Sequence, residues 1–366
     1  MKVLCDRERL REALALASSV IPVKSTRPAI ENVCLVATDD SLEVVGTDLE
    51  VALRFLIRDV KVDKPGTALI PARVASDFVR DLTAETVTLE VKGDNCFITG
   101  GPDSCELVTV DPDEFPAIDR FTDEECLNLQ AGNFTKLINR TSFAAAKEQG
   151  RYAMHGILTQ VENQQLEMVA TDGRRLAFSG TPIDVEASVK KRAIVPTKGL
   201  QLFNRVINDP LEQVKLVFSE NRIGLKTEHA EVFARLIDGE FPRYSAVIPE
   251  GGGAVVEADA AIFSKKLRLV ANLTSQDTRA VRLSFEGNQM KIFGKSAGTG
   301  EASAQMEVDI KGDPGDVAYN PDYLLDGVKN CESDIVRLEY STRTSPGKIT
   351  LGENYIYIVM PITIDA

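Results

Sequence analysis

The chain says nearly the same thing three times, at a spacing of about one third of its 366 residues. NVCLVATDDSLEVVGTDLEVALR (32–54) is echoed by GILTQVENQQLEMVATDGRRLAF (156–178) and by AVRLSFEGNQMKIFGKSAGTGEA (280–302). The pairs Thr47-Asp48 and Thr171-Asp172 lie 124 positions apart. A second theme keeps the same phase: GTALIPARVASDFVRDL (66–82), KRAIVPTKGLQLFNRVI (191–207) and PGDVAYNPDYLLDGVKN (314–330). A period of 122–125 residues is too long for a solenoid repeat and suits a whole domain. One domain copied three times is therefore expected.

Each third carries an amphipathic helix (6–20, 132–148, 260–273), alternating strands, a short helix (72–82, 197–209, 320–330) and three more strands. In the first helix Leu10, Leu14 and Ala17 recur at the three- and four-residue steps of one buried face. The class implied is α+β, with two sheets backed by two helices in each copy. The pattern resets in the acidic, proline-bearing DPDEFPAIDRFTDEE (111–125) and again in IPEGGGA (248–254). Domains are expected at 1–122, 123–249 and 250–366.

Composition excludes several functions. No apolar run approaches the ~20 residues that span a bilayer, and MKVLCDRERL lacks a signal-peptide core, so no membrane association and a cytoplasmic location are expected. Six scattered cysteines without a CxxC pair, and only two histidines, argue for free thiols and against a zinc site. Spacing alone does not fix whether any two cysteines are bridged. The net charge of −13 argues against nucleic acid, yet its distribution is uneven. The six helical segments hold 14 Lys and Arg against 9 Asp and Glu, so the remainder carries −18. Helices need charge on their wet face, and Lys and Arg form helices well. The skew gains meaning if all six helices share one surface, where it would meet phosphates.

Six stretches then stand out in order: RYAMHG (151–156), VATDGRRLA (169–177), IVPTKG (194–199), LIDGEFPRY (236–244), NPDYLLD (320–326) and IVMPI (358–362). With the threefold period, they make the whole chain resemble the bacterial DNA polymerase III beta subunit, the sliding clamp. The resemblance implies a head-to-tail homodimer whose six similar domains close a ring around double-stranded DNA without sequence preference. Twelve lining helices at ~9.5 Å spacing give a circumference of ~114 Å and a diameter of ~36 Å. Removing one helix width of ~10 Å leaves an opening of ~26 Å, room for a duplex and a water layer. A closed ring stays on DNA without tight contacts, which suits a modest positive surplus. By resemblance, Lys24 and Arg73 in the first domain, and Gln149, Arg151 and Lys198 in the second, face DNA.

The same resemblance implies an apolar cleft between the second and third domains that takes short linear peptides. Its positions here are Met154, Thr171, Gly173, Arg174, Arg175, Leu176, Pro242, Val247, Asn320, Tyr323, Ile358, Val359, Met360, Pro361 and Ile362. Aliphatic side chains line such a slot, methionine adapts to varied ligands, and arginine can orient polar groups. Partners implied are the DNA polymerase III alpha subunit, the clamp loader, and other polymerases and repair proteins with clamp-binding motifs. Arg174 and Ala246 depart from the best-known family pattern, as does the tail ITIDA, which bears on peptide preference. At the ring joint, Cys105 and Leu107 are expected to face Leu273 and its neighbours. KSAGTGEASAQ (295–305) holds a single acid, Glu301, and 103–107 is not basic, so the joint should rely little on ion pairs and depend weakly on salt. No phosphate loop, GxGxxG, HExxH or GxSxG occurs, so neither a cofactor nor a catalytic site of its own is expected.

Overall fold

The computed structural model describes residues 1–147, 152–251, 253–274, 279–296 and 298–363. The first copy runs β1 (Lys2–Asp6), α1 (Arg7–Val20), β2 (Asn32–Ala37), β3 (Ser41–Thr47), β4 (Val51–Arg58), β5 (Lys61–Lys64), β6 (Gly66–Pro71), α2 (Ala72–Asp81), β7 (Thr86–Lys92), β8 (Asn95–Gly100) and β9 (Asp103–Val108). The second runs β10 (Leu127–Gln130), α3 (Ala131–Thr141), β11 (Gly156–Glu162), β12 (Gln165–Thr171), β13 (Arg175–Pro182), β14 (Lys191–Pro196), α4 (Thr197–Val206), β15 (Gln213–Phe218), β16 (Arg222–Lys226) and β17 (Ala230–Arg235). The third runs β18 (Ala254–Asp259), α5 (Ala260–Ala271), β19 (Val281–Glu286), β20 (Gln289–Ser296), β21 (Gly300–Glu307), β22 (Asp309–Lys311), β23 (Val317–Tyr319), α6 (Pro321–Val328), β24 (Ile335–Tyr340), β25 (Gly347–Gly352) and β26 (Tyr355–Val359).

From sequence each third is expected to open on a helix; the structure sets a short strand ahead of each one. The strand ends in a cap for the helix that follows. Asp6 accepts from the Arg9 N–H at 2.8 Å, and Asp259 accepts from the Ile262 N–H at 2.8 Å. Leu10, Leu14 and Ala17 of α1 are buried, as their spacing requires. The helix lies so near β3 that a Cβ on Gly46 would sit 3.1 Å from the Ala17 carbonyl oxygen. Gly294 holds the same position in the third copy, where a Cβ would meet Val270 at 2.8 Å. Both glycines are there for close helix–sheet approach.

Contacts divide the chain into two compact units, 1–132 with 198–236 and 133–197 with 237–366. The first holds a five-stranded sheet, β5-β1-β7-β8-β9, and an eight-stranded sheet, β10-β15-β16-β17-β4-β3-β2-β6. The second holds a nine-stranded sheet, β14-β11-β12-β13-β26-β25-β24-β18-β22, and a four-stranded sheet, β21-β20-β19-β23. One hydrogen bond closes all three copies. Val110 donates to the Leu69 carbonyl at 3.0 Å, Ile237 to Ile194 at 2.9 Å and Ile362 to Ala318 at 2.8 Å. Such agreement at one step of the repeat comes from a common backbone, since the three residue pairs differ.

Two joints follow one rule. The last strand of a copy pairs antiparallel with the fourth strand of the copy before it: β17 with β4, and β26 with β13. β9 and β21, the corresponding strands left over, are edges of their sheets. Among the described residues no helix is long and apolar enough to cross a membrane.

Candidate functional site

The β13–β26 joint gathers the candidate cleft within one unit. Arg175 lies opposite Val359 and Leu176 opposite Ile358 in the ladder. Leu176 and Ile358 join Leu158, Val169, Ile194 and Phe241 in one buried cluster, with Ala153, Ile237, Tyr244 and Ile248 packed against it. The chain leaves β26 along the joint, with Met360 donating to the Arg174 carbonyl at 2.9 Å. Met360 and Val247 stay exposed, at 41% and 48%. Pro242 is exposed, Pro361 and Ile362 are half-buried, and Met154, Ile358 and Val359 are buried.

The Thr-Asp motif proves to be a turn. Thr171 donates its hydroxyl to the Arg175 carbonyl at 2.7 Å and accepts from the Gly173 N–H at 3.1 Å. Asp172 accepts from the N–H groups of Arg174 and Arg175 at 2.9 and 3.0 Å. Thr47 and Asp48 make the same bonds to Val51, Leu49 and Glu50 in the first copy. The turn needs a left-handed third residue, Gly173 at φ 86° and Leu49 at φ 75°.

The two neighbouring arginines differ in kind. Arg174 is exposed. Arg175 is buried and donates to Asp172 at 3.1 Å, Asp326 at 2.6 Å and the Phe143 carbonyl at 2.8 Å. Its guanidinium lies 4.4 Å from the centre of the Tyr323 ring and 5.5 Å from that of Phe143. Burial opposes its charge, but Tyr357, Asp326 and Asp172 together hold it protonated more firmly than usual. Tyr357 donates to the Tyr323 carbonyl at 2.9 Å, and burial holds its own hydroxyl well above the ordinary tyrosine range. Arg175 therefore ties β13 to α6 and the strand end, leaving Arg174 as the arginine open to a ligand. Asn320 caps α6, accepting from the Asp322 N–H at 2.9 Å.

Of the DNA candidates, Lys24 and Arg73 are exposed and make no ion pair among the described residues. Lys198 is half-exposed and pairs with Asp48, which offsets part of its charge. Gln149 and Arg151 lie outside the described residues. The helices themselves hold 12 Lys and Arg against 6 Asp and Glu, so the positive skew persists in their observed bounds.

Profiles of the N-terminal, central and C-terminal domains of the DNA polymerase III beta subunit match residues 1–119, 128–243 and 245–363. A beta sliding clamp of Pseudomonas putida is 30% identical over 367 residues, covering 100% of both chains. The chain belongs to the DNA polymerase III beta-subunit family. Its fold matches the solved Pseudomonas aeruginosa sliding clamp bound to griselimycin, at 28% identity and TM-score 0.95 over 100% of both chains. The Thermotoga maritima beta subunit aligns with TM-score 0.92 at 25% identity, again over 100% of both chains.

Three members of the cleft's support escape a reading by motif: Phe143, Asp172 and Asp326, which hold Arg175, although the last two sit inside VATDGRRLA and NPDYLLD. Phe241 and Ile237 also pack in the cluster, and only the apolar pattern of the 236–244 stretch marks them. Of the joint candidates, Cys105 and Leu107 lie on the edge strand β9, half-buried and buried respectively. Leu273 follows α5, where its N–H donates to the Val270 carbonyl at 3.0 Å.

Proposed function

We propose that this chain is the sliding clamp of a bacterial replicative polymerase. Two copies close head to tail around duplex DNA, and polymerases and other partners are tethered through the β13–β26 cleft. The observation that carries the reading is the joining rule. β17 adds to β4 and β26 adds to β13, so β9 of one chain should add to β21 of another. A heterologous contact of this kind makes either a ring or an open filament. Two chains of three copies give six joints of one type, which suits closure. The copies divide at 1–122, 123–249 and 250–366 in this reading. Lys24, Arg73, Gln149, Arg151 and Lys198 meet phosphates without reading bases, and the chain contributes processivity in place of catalysis.

The test is topological. Loaded by a clamp loader onto nicked circular plasmid, the protein should co-elute with DNA on gel filtration. Cutting the plasmid once should release it, because a ring slides off an end. Retention on the linear product would mark ordinary DNA binding and overturn the proposal.

A further inference from the structure

The β4–β17 joint repeats the β13–β26 joint position for position. Val51 lies opposite Ala234 and Ala52 opposite Phe233, where the other joint pairs Arg175 with Val359 and Leu176 with Ile358. The Arg235 backbone N–H donates to the Glu50 carbonyl at 2.8 Å, where the Met360 N–H donates to the Arg174 carbonyl. Ala52 stands where Leu176 stands in the second joint, a smaller side chain on the face it shares with Phe233. A cleft of about 410 Å³ opens here, lined by Ala52, Ala234, Phe233 and Ile118 among others. That volume falls within the range of small-ligand sites.

Charge gives the cleft a preference. Arg222 and Arg235 lie directly opposite each other on β16 and β17, an arrangement that like charges disfavour. Asp119 pairs with Arg222. Arg235 is exposed and makes no ion pair among the described residues. Glu50 on the rim adds a second carboxylate, so the cleft is near neutral as a whole. A near-neutral cleft with one open guanidinium suits a single carboxylate beside an apolar group, and gives a polyanion little. Leu49 adds an apolar rim: it is 48% exposed and held at φ 75°, a conformation that leucine adopts only under constraint.

We propose that the β4–β17 cleft is a second docking site for a linear peptide, one presenting an acidic side chain next to an aliphatic one. The aliphatic group packs on Ala52 and Phe233, which lie opposite each other on the open face of the sheet, and the carboxylate bonds Arg235, two residues from Phe233 on that same face. The choice of a peptide as occupant rests on reading the β13–β26 joint as a peptide cleft; the cavity and its charges stand apart from that reading.

The probe is a fluorescein-tagged hexapeptide with two leucines, one aspartate and one photoreactive benzoyl-phenylalanine, offered to the full-length protein. Cross-links mapped by mass spectrometry should fall within 47–52 or 116–119. Arg235→Glu, at an exposed position that folding tolerates, and Ala52→Phe should each reduce that labelling about tenfold. Labelling at 358–362 should persist in both variants, and unchanged melting curves would confirm folding. Replacing the aspartate by asparagine should weaken binding at this joint. Labelling here with none at 358–362 supports the second site and refutes the first. No labelling here, labelling indifferent to both substitutions, or displacement by a short DNA duplex overturns the proposal.

Discussion

Leu49 and Gly173 occupy one turn position in two copies, and only glycine is at ease there. A left-handed conformation costs a residue with a Cβ about 1–2 kcal/mol. Glycine returns about 0.4–1 kcal/mol of that through the greater freedom of its unfolded chain. Leu49→Gly should therefore stabilise the protein by about 0.5 kcal/mol, read from urea unfolding; a loss of stability would show that the Leu49 side chain packs better than its exposure indicates. Glu43 makes a second case. Burial pushes its carboxyl up, but hydrogen bonds and charge from Arg120 and Arg54 bring it below the ordinary value of 4.5. Arg54 reaches it at 2.7 Å, and Arg120 reaches it at 2.7 and 3.0 Å from the segment that links the first two copies. A folded pKa below the unfolded one means that the stabilisation is complete above pH 4.5 and fades as pH falls through the folded value. Glu43→Gln should cost about 1–3 kcal/mol at neutral pH. The gap from the parent protein should close on acidification, and a gap that persists undiminished at about pH 3 would show that the carboxylate is not its source.

At the scale of elements, the α5 and α1 faces were legible because their apolar steps persist over three turns or more. The opening strands β1, β10 and β18 were not, since four to six residues give alternation too little length to register. The helix expected over 132–148 stops at Thr141, and a 3-10 turn follows over Ser142–Ala144. Runs of alanine extend helical propensity past the point where packing ends it. In the candidate cleft, Leu176 and Ile358 could be named from sequence, whereas the engagement of Arg175 by Asp172 and Asp326 could not. Burial of an arginine depends on residues 151 positions away. The tail illustrates why boundaries matter for tests. Removing 358–366 would cut into β26, whose Ile358 and Val359 are buried ladder residues. Removing 360–366 spares the strand and takes away Met360, Pro361 and Ile362. That truncation should abolish binding of a polymerase-derived peptide, measured by fluorescence anisotropy, while leaving the mass in solution unchanged. Undiminished affinity would move the cleft elsewhere.

For the whole molecule, the edge strands decide what the chain can become. β9 and β21 each leave one row of backbone donors and acceptors without a strand partner, a liability in any monomer. β9 places Cys105 and Leu107 on one face, with Val108 68% exposed beside them. β21 is eight residues long and its outward positions are small or polar. The charges on both strands are acidic, Asp103 and Glu106 on β9 and Glu301 and Glu307 on β21, so no ion pair forms between the two strands and a joint would be held by backbone bonds and apolar contact, which salt does not weaken. Sedimentation should then give twice the 40.0 kDa chain mass, and raising the salt from low to molar should change the dimer fraction only slightly. Placing a charge in the middle of the edge has the opposite logic. Cys105→Lys puts an ammonium where two strands would meet, and lysine is the residue with which natural edges prevent pairing. The variant should sediment near 40.0 kDa with a melting temperature close to that of the parent. A dimer that survives Cys105→Lys yet dissociates in salt would mean that ion pairs elsewhere hold the chains, and the strand-joining rule would then end at the second joint.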